Sequence, residues 1–186
     1  MMQKKRSGWQ AAVLPCLLIT LSLPAGATAE IVFRDSFEPR LGALDYLAVW
    51  EDDPDGNGFN DLRGLGQRLN AETSGEQRSP AVAASANGDF VVTWADGPRR
   101  DGEFSVFMRG FHADGSERFP TQNVSGLAGP RPTPDIAMTP SGDFVVVWAD
   151  DRDGNGYGQI RAKGYTADGS QRFSQSPVND RDAGDL

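Results

Sequence analysis

The chain has 186 residues, with 26 acidic against 18 basic side chains and a net charge of −8 at neutral pH. An acidic surface excludes nucleic acid and anionic membrane as natural partners, since both need a basic footprint. A single Cys (Cys16) and a single His (His112) exclude a disulfide framework and a zinc centre built on several histidines.

The first elements belong to targeting rather than to a fold. Lys4, Lys5 and Arg6 form a positive cap, residues 11–23 are an apolar run interrupted by Pro15, and residues 27–29 read ATA. This order predicts a secretory signal peptide over 1–29, cut after Ala29. The run is too short to span a bilayer. Loss of three basic residues and no acid takes the net charge from −8 to −11, and the only Cys leaves with the signal. Residues 30–40 follow as a lead-in segment or an extra edge strand, closing at Pro39. A secreted or periplasmic protein is expected.

Repeats begin next. Residues 45–50 read DYLAVW, 89–94 read DFVVTW and 143–148 read DFVVVW. Each is Asp, an aromatic, aliphatics and Trp, which predicts a buried strand. Trp50, Trp94 and Trp148 stand at one place in each unit and are predicted core anchors. Downstream, GFHADGSERF (110–119) matches GYTADGSQRF (164–173) as a strand, an Asp-Gly turn and a further strand. In the first unit QRLNAE (67–72) corresponds, with about two residues inserted and no Asp-Gly turn. Upstream, SPAVAASANGDF (79–90) matches TPDIAMTPSGDF (133–144) and adds a strand to the second and third units. The predicted repeats run over about 41–78, 79–132 and 133–179. The tail, 180–186, is expected to be disordered. No amphipathic helix pattern is present.

Directly after two of the three Trp strands lies an acidic loop. Asp53, Asp55 and Asn57 with Gly58, and Asp151, Asp153 and Asn155 with Gly156, both spell D-x-D-x-N-G. Alternate oxygen side chains on a curled backbone can converge on one cation. Asp61 stands at position nine of the first loop, and the Phe59 and Tyr157 carbonyls at position seven. Calcium is therefore the expected ligand, with Asp53, Asp55, Asn57, Asp61, Asp151, Asp153 and Asn155 as its candidate donors. An EF-hand is excluded, because position twelve of the third-unit loop is Ala162. In the second unit the loop positions hold Gly97, Arg99 and Asp101, so no metal is expected there. The competing reading is a metal-free hairpin, since Asn-Gly and Asp-Gly favour turns by themselves.

The phrases GDFVVVW and ADGSQRF, with the acidic loop between them, resemble a Trp-bearing tandem repeat of large secreted bacterial proteins. The loop itself is similar to those of FG-GAP and integrin-type repeats. This resemblance covers about 41–179 and implies an all-β fold of three propeller-like, four-stranded repeats. Propellers commonly have four to eight blades, so three imply an incomplete or open propeller, a homo-oligomer that closes it, or a truncated remnant of a larger repeat protein.

Catalytic residues are not legible. Ser141-Gly142-Asp143 begins like the Asp box of propeller sialidases, but Val145 stands where that box has Gly. His112 has Thr166 as its counterpart and is expected to face solvent. Residues 123–125 read NVS, a glycosylation sequon by pattern, taken as coincidence in a bacterial type of repeat. The expected function is a secreted, non-catalytic binding or scaffolding protein for an extracellular protein or glycan. The alternative is an extracellular propeller-type hydrolase acting on glycans or peptides.

Overall fold

The structure, a computed structural model, describes residues 29–33, 46–53, 56, 59–71, 75–97, 102–129, 132–152 and 158–179. Residues 1–28 of the signal segment and the tail lie outside the described residues, as do Asp55, Asn57, Asp153 and Asn155.

The described residues are all-β, with twelve strands in three four-stranded antiparallel sheets. The first sheet holds β1 (Ala29–Phe33), β2 (Tyr46–Asp52), β3 (Asp61–Gly64) and β4 (Gln67–Arg68), in that spatial order. The second holds β5 (Glu76–Ala84), β6 (Phe90–Gly97), β7 (Ser105–Phe111) and β8 (Glu117–Leu127). The third holds β9 (Asp135–Met138), β10 (Phe144–Asp150), β11 (Gln159–Tyr165) and β12 (Gln171–Pro177). Each is a simple meander in which consecutive strands pair, so short loops suffice.

Residues 29–33 resolve one ambiguity of the sequence. They form β1 and pair with β2 from Ala29↔Trp50 to Phe33↔Tyr46. This is the place that β5 takes beside β6 and β9 beside β10. The upstream strand missing from the first repeat is thus supplied by the N-terminal segment. The first repeat also differs at its last hairpin. Leu65 and Gly66, both with positive φ, join a four-residue strand to one of two residues. The difference from the other units is a shortened hairpin, not the small insertion that alignment of QRLNAE suggests.

The sheets stack face to face. One apolar cluster joins Leu47, Val49, Leu62 and Leu69 of the first sheet to Val82, Phe90, Val92, Trp94 and Phe111 of the second. Another joins Val91, Val106, Met108, Phe119 and Val124 of the second to Ile136, Phe144, Val146, Trp148 and Tyr165 of the third. The middle sheet is therefore covered on both faces, and β6 is buried from Phe90 to Ala95 without alternation. Its repeat counterpart β10 alternates strictly between buried and half-buried, because only one of its faces is covered. Trp94 and Trp148 are among the largest fully buried side chains, as core anchors should be. Neither indole N–H has an acceptor among the described residues. Trp50 is only partly buried.

Candidate functional site

The acidic loops leave the ends of β2 and β10. Of their expected donors, Asp53, Asp61 and Asp151 are described. Asp61 opens β3 opposite Asp52 and is buried. Its Oδ1 accepts a hydrogen bond from the Asn70 side-chain amide at 3.0 Å, and its Oδ2 lies 3.8 Å from the Arg68 guanidinium. This carboxylate therefore ties β3 to the segment after β4. Asp151 donates its backbone N–H to the Ala128 carbonyl at 3.1 Å, which joins the third sheet's loop to the second sheet. Among the described residues no three His, Cys, Asp or Glu side chains are grouped closely enough to hold a metal.

Beside that loop, Asp150 is buried at the end of β10. Its Oδ2 lies 3.4 Å from both the Arg152 and Arg161 guanidiniums, while its Oδ1 has no hydrogen-bond partner among the described residues. Arg152 also donates to the Leu127 carbonyl at 2.9 Å and the Ser125 carbonyl at 3.3 Å. Asp150 thus orients an arginine that straps the third sheet to the last strand of the second.

In the second and third sheets the repeated Asp before the aromatic strand has a structural task. Asp89 Oδ1 accepts from the Ala113 backbone N–H at 3.3 Å and lies 3.4 Å from His112 Nδ1, and its Oδ2 is 3.5 Å from Arg118. In the third sheet Asp143 accepts from the Ala167 N–H at 3.2 Å and from Arg172 at 2.5 Å. The Asp, the Ala of the ADGS turn and the Arg of the RF pair therefore form one unit, repeated twice. Burial alone would raise the Asp89 carboxyl. The Asn87 and His112 hydrogen bonds, the Arg118 charge and the Ala113 N–H outweigh it and hold the group below its ordinary 3.8. Within the turns, Asp114 accepts from the Ser116 hydroxyl at 2.6 Å and its N–H at 2.9 Å. Asp168 does the same with the Thr166 hydroxyl at 2.7 Å and the Ser170 N–H at 3.0 Å. These bonds favour the charged form and lower both carboxyls.

A second recurring device was invisible in the sequence. The N–H of Leu62 donates to Asn70 Oδ1 at 2.9 Å, that of Val106 to Ser125 Oγ at 2.8 Å, and that of Ile160 to Asn179 Oδ1 at 2.9 Å. The three donors occupy one repeat position, just before the residue paired with the repeat Trp. A polar side chain, within the last strand of the second sheet and just beyond that of the first and third, thus satisfies a strand N–H that the ladder leaves open. One apolar residue, Leu69, Val124 or Val178, precedes each lock.

The glycines of the GF and GY pairs are also explained. A Cβ on Gly110 would meet the Phe119 ring at 2.2 Å, and one on Gly164 the Phe173 ring at 2.0 Å. Each Phe of an RF pair lies flat over the facing glycine, which a larger residue would forbid. Phe119 is buried under the third sheet. Phe173 instead lines an open groove of about 350 Å³ with Ala137, Met138, Val145 and Tyr165, beside the Asp143–Arg172 pair. Burial pushes the Tyr165 phenol well above its ordinary pKa.

The residues that repeat most faithfully therefore act on turns, strand ends and sheet contacts, and the groove is a concave surface that the described residues offer to a partner. No described helix is long and apolar enough to cross a membrane. In comparisons with known proteins, no family model, no curated sequence and no solved structure matches the chain.

Proposed function

We propose that the chain is an exported, non-catalytic binding or scaffolding protein whose working surfaces are the faces of its stacked sheets. The observation that carries this reading is the open face of the third sheet, where Ile160, Phe173 and Val178 are exposed together. Large apolar side chains gathered on an open sheet mark interaction surfaces. The sheets are read as propeller-like blades. Support comes from their meander order and from the contacts of β5 with both β1 and β9, which set the first strands of the three sheets side by side. Calcium in the two acidic loops belongs to the same proposal and is supported by the repeated D-x-D-x-N-G spacing.

Two experiments test it. Cells expressing the full sequence should deliver a product beginning at Glu30 outside the cytoplasm, and an uncut product retained inside would overturn export. Thermal unfolding should then be compared in about millimolar calcium and in chelator. A ligand at about 100 times its Kd adds about 2.7 kcal/mol, a clear rise in Tm that should vanish when Asp53 and Asp151 are both changed to Ala. An unchanged Tm removes calcium and leaves the scaffold. Turnover of extracellular glycans or peptides by the purified protein would replace the scaffold with a hydrolase.

A further inference from the structure

Each sheet has a leading face, which meets the next sheet in the chain, and a trailing face, which carries its Trp. The leading faces match position by position. Leu62 and Val106 are both 0% exposed beneath the following sheet, whereas Ile160 at the same position is 40% exposed. Leu69 and Val124 are 0% and 2% exposed, and Val178 is 58% exposed. Phe119 is 5% exposed and Phe173 is 46% exposed. The third sheet therefore presents the same apolar surface that the other two bury, without its cover.

Within the chain that cover is always of one kind. The Trp94 face lies over the first sheet and the Trp148 face over the second. One Trp-bearing face remains, on the first sheet. Leu47 and Val49 of β2 point to the second sheet, so Ala48 and Trp50 point the other way, and Trp50 is only partly buried. Among the described residues one face of each kind is thus unmatched, and the fit between the two kinds is built twice in the core.

We infer that these faces bind each other between copies, the third sheet of one chain seating on the Trp50 face of a second. This rests on the scaffold reading and names its partner. The contact is head to tail, because the two surfaces differ. Two copies joined this way at both ends make a ring of six sheets, within the ordinary range of bladed rings, and association stops at the dimer.

Sedimentation velocity on protein expressed from the full sequence, as the cell processes it, tests the inference. A concentration-dependent dimer is expected. Val178→Glu, which charges the leading face, and Ala48→Arg, which charges the trailing face, should each weaken it about tenfold or more. An equimolar mixture of the two variants should regain dimer, since each supplies the face the other lacks. Dimers of Ala48→Arg alone would show that third-sheet faces pair with themselves, and would overturn the head-to-tail contact. A ladder of larger species would overturn the ring. A wild-type monomer with a cooperative melt would overturn the inference and leave the scaffold reading intact, whereas loss of the cooperative melt would remove both. One readout needs no charged variant. Dilution of the wild type should shift Trp emission to longer wavelength, and Trp50→Phe should abolish that shift, because Trp94 and Trp148 are buried in either state. A shift that persists in Trp50→Phe would refute the seam.

Discussion

Asn70, Ser125 and Asn179 perform one task at three depths, so truncating each to Ala separates the value of a hydrogen bond from the cost of burying its orphaned partner. Asn70 is buried and accepts from the Leu62 N–H at 2.9 Å. Its amide donates to Asp61 Oδ1 at 3.0 Å and to Gln77 Oε1 at 3.2 Å. Asn70→Ala leaves a backbone N–H without water in reach, at about 1–3 kcal/mol, and removes a bond to a charged carboxylate, at about 1.5–3 kcal/mol. Asp61 keeps Arg68 and Leu62 can shift slightly, so a loss of about 3–4 kcal/mol is expected. Ser125→Ala orphans the buried Val106 N–H and gives up the bond its hydroxyl donates to the exposed Gly126 carbonyl, and should cost about 1–2 kcal/mol. Asn179→Ala exposes the Ile160 N–H to water and should cost at most about 1 kcal/mol. Urea unfolding of the three variants, with unchanged m values, gives the order directly. If Asn179→Ala costs as much as Asn70→Ala, burial is not what sets the value of this lock, and the argument fails.

Three further outcomes are expected. Gly110→Ala drives a methyl group into the buried Phe119 ring and should cost about 1–3 kcal/mol. Gly164→Ala should cost less, because Phe173 can swing into solvent; equal losses in denaturant unfolding would contradict this. Trp148→Ala should cost about 3–5 kcal/mol, and Trp50→Ala clearly less, since Trp50 is only partly buried; thermal melts at matched low concentration compare the two. Finally, Asp89, Asp114 and Asp168 all have carboxyls held below 3.8 in the folded protein. A depressed folded pKa stabilises the fold fully above the unfolded value and is lost as pH falls through the folded one. Stability should therefore decline on acidification below about pH 4, and Asp89→Asn should flatten part of that decline in melts recorded across pH. A slope unchanged by Asp89→Asn would remove the hairpin network as its source.

Much of the fold was legible because its signals are local. FVVTW and FVVVW are strands by composition, and ADGS is a turn by chemistry. The aromatic after the repeated Asp also made sense once register was known: Phe90 pairs with and stacks on Phe111, and Phe144 on Tyr165, with centroids 5.0 Å apart in both cases. What was not legible depends on which residues lie opposite each other. Asp89 and Asp143 read as turn residues, yet they clasp a turn more than 20 residues later. The strand-end lock was hidden because Ser125 takes a place held elsewhere by Asn, and because the first unit reaches Asn70 through a shorter hairpin. Asp61 has the spacing of a calcium donor, but spacing cannot reveal that Asn70 and Arg68 converge on it. The loop positions 55, 57, 153 and 155 rest on the sequence pattern.

Stacking in series also shapes how the protein comes apart. Among the described residues the middle sheet shares an apolar cluster with each neighbour, whereas each outer sheet shares one. Stability in such arrays is a sum of units and nearest-neighbour seams. An outer sheet can detach by breaking one seam, but the middle sheet must break two. Amide exchange should therefore be slowest in β6 and β7 and progressively faster in the first and third sheets, as sub-global opening peels the stack from its ends. Under proteolysis the ends of the stack are where cleavage begins, and any contact that covers them lengthens the life of the whole molecule.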